Sequence, residues 1–503
     1  MSMAKKKGFQ KHEWLILITV MIASFLGRLD GTIVNLALPK IIQDFGITVS
    51  QASWISTAYI IANAIFVPVF GKLGDLIGIK KLYLFGIIGF TLTSMLAGLS
   101  FNLPSMVIFR VLQAITVSID YPIALSIIAY TFTDRGQRAQ AMGLWSAIFA
   151  VSAVFGPLLG GPLIDNFTWR SVFYINFPLG ILGSLMAWRY VVEPVKKTKG
   201  ISNFDISGSL LLGLSLGTLV LVLDQGQVWG WTSLNSLISY AVTITSMVSF
   251  ILVERKAKEP VVDLKFFKIP TFTAAIITSF ISFMGMIGGI FLIPIFAQTY
   301  LGYSVTQSGY LFIPMAFGMM ISAQIGARLS VKMQPRFLTA FGMFWAAIMM
   351  FLFAQVDIKW TSFDIMWRLF SLAFGLGLGL APLTNAATST VPIEEVGIAS
   401  SVLALARNVA GAFGIAIFAT ILSNSVTSNL LQIQKFSVIN THDVTILPQV
   451  FGLMAVKANI LSFATVFRAS VYFMILGGIS ALFVKESKRD FATKKDLEHP
   501  IEF

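Results

Sequence analysis

Apolar stretches of about 20 residues follow one another from Trp14 to Val484, roughly fourteen in all, separated mostly by short polar gaps. Each is long enough to cross a bilayer as a helix, and a helix satisfies its own backbone hydrogen bonds where no water is present. The spans begin near residues 14, 52, 81, 105, 139, 171, 207, 235, 270, 304, 337, 363, 397 and 462, to within about four residues. An even count puts both ends on one face. With 12% charged residues and a mean hydropathy of +0.82, the 503 residues read as one membrane body rather than as soluble domains.

Cationic loops are retained on the cytoplasmic side, whereas acidic ones influence orientation little. Lys5, Lys6, Lys7 and Lys11 at the N-terminus share one face with Lys72, Lys80 and Lys81, the Lys196 to Lys199 run, Arg255 to Lys268, Arg328 to Arg336 and the C-terminal tail. The opposite gaps hold only isolated cations such as Lys40, Arg170, Lys359, Lys435 and Lys457. The net charge of +13 is therefore a topological signal, with both termini expected in the cytoplasm, and it calls for contact with membrane lipids but not with nucleic acid. The first stretch follows a basic segment as a secretory signal would, yet shows no small-residue cleavage site and runs on through Asp30 to Pro39, so it is read as a retained span.

Cysteine is absent, and the histidines, His12, His442 and His499, fall outside the spans. The sequence contains neither HExxH nor a GxxxxGK phosphate loop, so no metalloprotease or ATP-driven chemistry is indicated, and an ion gradient is the expected energy source. The expectation is a non-enzyme without cofactors.

Residues 1–13 read as a cytoplasmic N-terminus, 14–192 as a six-helix bundle, and 193–269 as cytoplasmic linkers around an inserted helix pair at about 207–254. Residues 270–485 read as a second six-helix bundle with a polar external segment at 425–460, interrupted by Pro448 and open to amphipathic helices, and 486–503 as a cytoplasmic tail. The halves echo each other weakly: Gly71 to Leu82 corresponds in place to Gly326 to Phe337, with Asp75 replaced by Ser330. Duplicated bundles with a shared midplane site are a mark of secondary transporters.

In the stretch GKLGDLIGIKK, Gly71 and Gly78 permit a tight turn and close helix approach, while Asp75 and Lys80 form a pairable charge set at a helix boundary. Asp75 docked at the start of the span near Gly397 would tie the halves together on the cytoplasmic side, and Arg135 belongs to the same expected gate. The stretch resembles the signature loop of the major facilitator superfamily, departing from it at Gly74, Leu76 and Ile79. LDGTIVNLALP (29–39), RVLQ (110–113), GPLLGG (156–161), WRSVFYINFPLG (169–180), LDQG (223–226) and PVVDL (260–264) are similar to motifs of its fourteen-span drug:proton antiporter branch, the EmrB/QacA-type exporters. The resemblance covers nearly the whole chain and implies two six-helix bundles plus an inserted pair. It makes Gly156, Pro157, Gly160 and Gly161 the antiporter motif of a bent, closely packed helix. Departures include Ala114 after RVLQ, and Ala464, Thr465 and Arg468 where the branch carries Asn-Asp and an aromatic residue.

Charges inside spans are costly and usually face a cavity or a partner. Asp30 lies about 12 Å and Arg110 about 9 Å below the outer surface, close enough to meet. Arg28 and Asp120 lie deeper, at about 15 and 23 Å, a gap that a long arginine partly bridges. Asp30 with Arg110, and Asp120 with Arg28, are therefore expected to form pairs that open on protonation. Asn35, Tyr59, Asn63, Gln113, Asn385, Arg407 and Asn408 are candidate cavity residues, although interhelical hydrogen bonding explains each polar one as well. Arg407 finds no acid at comparable depth in its own half, so it is expected to meet an anionic cargo group or to snorkel.

The function expected is proton-coupled export of hydrophobic or amphiphilic compounds, multidrug efflux, by alternating access in a bacterial inner membrane. The rival is export of a specific anionic metabolite, siderophore or lipid; a non-transporting sensor fits less well without a sizeable soluble domain. Beyond lipophilic cargo, the resemblance brings in a periplasmic adaptor and outer-membrane channel as partners.

Overall fold

The computed structural model describes residues 9–47, 49–193, 205–257, 260–330, 332–392, 395–436 and 447–484. Among them the first half holds α1 (Lys11–Phe45), α2 (Val49–Ile77), α3 (Ile79–Gly98), α4 (Leu103–Val117), α5 (Asp120–Thr131), α6 (Arg135–Asn166), α7 (Ser171–Tyr174) and α8 (Asn176–Tyr190). The inserted pair is α9 (Ile206–Trp229) and α10 (Leu234–Glu254). The second half holds α11 (Pro270–Ile290), α12 (Leu292–Tyr300), α13 (Val305–Tyr310), α14 (Ile313–Leu329), α15 (Pro335–Phe353), α16 (Ser362–Thr388), α17 (Val396–Phe436) and α18 (Leu447–Ala481).

Prolines explain why some single spans appear as two helices. The α4/α5 break at Ser118, the α7/α8 break at Ile175, the α11/α12 break at Phe291 and the α13/α14 break at Leu311 each lie three or four residues before a proline: Pro122, Pro178, Pro294 and Pro314. A proline has no N–H for the carbonyl one turn earlier, so the helical ladder is interrupted there. The first of these breaks puts Asp120 at the start of α5.

Thirteen helical segments among the described residues are long and apolar enough to cross a membrane. α6, with 32 residues, supplies the remaining crossing. Its lower apolarity suits its position between α1 of its own half and α14 and α16 of the other. The first half is built around a core that includes Leu17, Tyr83, Ile123, Phe132 and Trp145, and the second around one that includes Phe296, Phe353, Leu369, Phe418 and Phe467. Two seams join them: α6 against α14, and α2 and α5 against α17. α9 packs on both α2 and α17 and so covers the second seam.

Residues 425–436 prolong α17 and residues 447–460 open α18, so the described parts of the expected external segment are helical; residues 437–446 lie outside the described set. Pro448 does not interrupt this helix because it occupies its first turn, where the backbone N–H has no helical partner to lose.

Candidate functional site

Asp30 is fully buried on α1 and forms an ion pair with Arg110 of α4, itself 2% exposed. Arg110 Nη1 also donates to Gln113 Oε1 at 2.7 Å, and Gln113 Nε2 donates to Asp30 Oδ1 at 2.9 Å. Asn176 at the start of α8 donates to the same oxygen at 3.3 Å and to Ser94 Oγ at 2.9 Å. Ser94 in turn donates to the Phe173 carbonyl at 3.0 Å. The Tyr59 ring lies 4.0 Å from the guanidinium carbon of Arg110. Both Asp30 oxygens thus receive donors, and a carboxylate in this setting is compensated by geometry that a neutral acid would use only in part.

Asp120 is set differently. It accepts hydrogen bonds from Ser24 and, at 3.5 Å, from Tyr83 Oη, and it interacts electrostatically with Arg28, one turn beyond Ser24 on α1. Ser24 accepts from Trp145 Nε1 at 2.8 Å, which links α6 through α1 to the acid. A void of about 20 Å³ bounded by Ala23, Tyr83, Gly86, Phe90 and Asp120 adjoins the carboxyl and has room for one water.

The neighbouring residue, Tyr121, meets the other half. Arg407 on α17 is 8% exposed and donates to Tyr121 Oη at 2.7 Å and to Thr384 Oγ1 at 2.8 Å, with the Phe283 ring 5.0 Å from its guanidinium carbon. It does not snorkel, because these hydroxyls and the ring hold it inside. Arg407 also interacts electrostatically with Arg28 of the first half, which in turn interacts with Asp120. Asn408 Nδ2 adds a second crossing contact to Asn63 Oδ1 at 3.3 Å. Asn385 is half-buried next to Thr384. The side chains of Asn35, Asp75, Arg135 and Pro157 lie outside the described residues.

On the face carrying the basic loops, the halves touch closely. A Cβ on Gly71 would lie 2.6 Å from Ser401 Cβ and 3.0 Å from the Gly397 carbonyl oxygen, and one on Gly143 would lie 2.7 Å from Ala327 Cβ. Arg138 donates to Thr388 Oγ1 across the seam at 3.5 Å. Gly78 has φ +110°, a conformation that side-chain-bearing residues rarely adopt, and it turns α2 into α3. The acid seated at the α3 N-terminus is Glu193, which accepts from the amides of Ile79 (2.8 Å) and Lys80 (2.9 Å). α6 is continuous through the antiporter motif. Gly156 lies against Thr32 and Gly160 against Ile33 and Leu36, all on α1, whereas Gly161 faces Thr306 of the second half.

The sequence reading passed over Asn176, Ser94, Ser24, Tyr83, Tyr121 and Thr384. Asn176 stood within the quoted WRSVFYINFPLG motif, and Tyr121 stood beside a named acid, but neutral polar residues are frequent in spans and identify no partner by themselves.

The profile of the Major Facilitator Superfamily matches residues 20–415. The chain is 35% identical over 429 residues to the multidrug transporter protein MdtP of Bacillus subtilis, covering 85% of this chain and 78% of that one. It is 30% identical to the multidrug export protein EmrB of Escherichia coli (strain K12), covering 86% and 85%. The crystal structure of the human organic anion transporter MFSD10 superposes with a TM-score of 0.64 over 92% of this chain and 100% of that one, at 13% identity, a likeness of fold alone. By its sequence, its helix order and the two-bundle architecture around this interior, the chain belongs to the major facilitator superfamily, in the branch that holds those multidrug transporters.

Proposed function

We propose that the protein exports lipophilic compounds from the cytoplasm in exchange for protons, by alternating access between the two bundles. The observation that carries this reading is the position of Asp120: a half-buried residue lining a water-sized void, adjacent to the Tyr121–Arg407 contact that joins the halves. While ionised, Asp120 offsets the repulsion between Arg28 and Arg407. A proton removes that offset, and in a medium of low dielectric the repulsion between the two guanidiniums then pushes α1, with α5 packed on it, away from α17. Seam opening is thereby tied to protonation. Each proton moving inward down a potential of 100 mV contributes about 2.3 kcal/mol. Asp30 and Arg110 form the stiffer pair and hold α1 on α4 while the seam moves.

The relatives' names supply the cargo class, and the basic face, packed shut through Gly71, Gly143 and Arg138, corresponds to the cytoplasmic gate in its closed state. In a host with an outer membrane, the helical extensions of α17 and α18 provide the external surface on which a periplasmic adaptor would seat.

The test is uptake of a fluorescent lipophilic dye into inverted vesicles under an imposed pH gradient. Asp120→Asn is expected to abolish gradient-driven uptake while dye binding persists; gradient-driven uptake at the wild-type rate in this variant would refute the coupling role. A second reading, anionic cargo, is favoured by the interior charge count of three arginines, Arg28, Arg110 and Arg407, against two acids, Asp30 and Asp120. Under that reading a lipophilic carboxylate competes with dye uptake at least ten-fold better than its amide, and Arg407→Gln removes the difference.

A further inference from the structure

The inserted pair ends on two carboxyls that the export cycle above does not use. Asp205 caps α9: its Oδ1 accepts from Gly208 N at 2.8 Å and from Ser207 Oγ at 2.9 Å. Glu254, the last residue of α10, is 4% exposed, and its Oε1 accepts from Val262 N at 2.6 Å. The other two oxygens, Asp205 Oδ2 and Glu254 Oε2, are buried, and neither receives a donor among the described residues. Both overhang Gly208, where an added Cβ would lie 2.3 Å from Oδ2 and 2.7 Å from Oε2. The two oxygens are therefore no more than about 5 Å apart, a range at which two carboxylates withdrawn from water do not both ionise.

Among the described residues, the other charged groups near this end of the pair are Lys72 of α2, Arg255 and Lys256 after α10, and Asp263, Lys265 and Lys268 of the linker and its 3-10 turn, Leu264–Lys268; Asp224 lies near the other end of α9. Asp263 uses Oδ1 on the Lys265 amide at 2.9 Å, and none of the cations donates to either orphaned oxygen.

We propose that Asp205 and Glu254 form a single-proton site, one carboxylic acid donating its hydrogen to the facing carboxylate between Oδ2 and Oε2. The ligand is a proton taken from the basic face, at a place separate from the interior acids. What it holds is the linker after α10. Val261, Val262 and Phe266 are buried among Leu212, Leu216, Phe250 and Phe272, and the Val262 amide is anchored on the same carboxyl. With the proton present, the start of α9, the end of α10 and the linker form one clamp. With it lost, two anions face each other at Gly208 and the linker loosens.

The experiment uses the full-length protein in nanodiscs and reads two signals across neutral to alkaline pH: the infrared band of protonated carboxyls, and amide hydrogen-exchange protection factors for residues 260–268. Expected is a protonated-carboxyl band at neutral pH that disappears in Glu254→Gln, together with wild-type linker protection that falls at least ten-fold as the band titrates away. In Glu254→Gln, whose amide N–H donates to Asp205 in place of the shared hydrogen, protection stays independent of pH. If Glu254→Gln does not fold, Asp205→Asn gives the same comparison. Identical bands in wild type and variant, or the same fall in linker protection in both, would overturn the proposal. Because neither signal depends on transport, failure here is distinguishable from failure of the export reading.

Discussion

At the scale of single residues, the contrast between the two interior acids carries most of the argument. Asp30 is held by Arg110, Gln113 and Asn176, so removing its cation leaves a charge stranded where water is absent. Arg110→Ala is expected to lower stability by roughly 3–5 kcal/mol, and Asp30→Asn in the same chain to restore much of it, as read from unfolding in detergent. The pairing was legible in the sequence because in-span charges are rare and 1.5 Å of rise per residue placed these two at similar depth. Asn176 was not, because its value lies in which way α8 faces. Outside the bilayer, Asp44 accepts from Trp169 Nε1 at 2.9 Å and from Arg170 Nη1 at 3.0 Å, and these donors hold its carboxyl below the usual carboxylate range. The stabilisation is present above the unfolded-state value of about 3.9 and is lost as pH falls through the lower folded-state value. The fluorescence of Trp169, in a variant lacking the other tryptophans, is accordingly expected to hold steady from pH 7 to about 5 and to change only below about 4. Asp44 is 46% exposed, so the effect on global stability is small.

At the scale of elements, helix breaks and glycine contacts set the geometry. The breaks before Pro122, Pro178, Pro294 and Pro314 follow from the missing N–H, and they were open to sequence reading as proline positions without being recognised as helix boundaries. The antiporter motif was read as a bent, closely packed helix, and its described glycines pack closely, with Gly156 and Gly160 allowing α6 onto α1. Gly160→Val would drive a side chain into Ile33 and Leu36, and a loss of about 1–3 kcal/mol is expected by thermal unfolding, with Gly160→Ala less affected. At the turn between α2 and α3 the sequence named Asp75 for a dock near Gly397, and its side chain lies outside the described residues; the α3 N-terminus is capped by Glu193, more than a hundred residues away in the chain. Only the docking of the end of α8 against α3 brings that acid to those amides.

At the scale of the whole molecule, the two seams between the halves include close contacts at small residues and a few crossing hydrogen bonds. Gly71→Val would place methyls within the space of Ser401 and the Gly397 carbonyl, so the basic face is expected to open. The absence of cysteine makes this directly measurable: a spin label introduced on that face of each half should report a longer distance in Gly71→Val than in the unsubstituted chain. Tyr121→Phe removes the hydroxyl that Arg407 uses, and the same label pair should show a broader distribution with the ordered interior otherwise intact. Unchanged distances in both variants would mean that the seam is held by other contacts.

Hydropathy and charge counting, which need no knowledge of neighbours, determined that the chain crosses the bilayer repeatedly, that its cations favour one face, and which ionised groups would be costly inside. Those properties follow from the solvent that each segment meets. Partner choice followed from tertiary structure alone: Arg407 with Tyr121, Glu193 with the amides of α3, Glu254 with the Val262 amide, and α9 across the second seam. These pairings depend on how each helix is rotated about its axis and where it crosses the next. In a bilayer, van der Waals packing and interhelical hydrogen bonds set that rotation, because lipid tails are as apolar as the side chains they would replace.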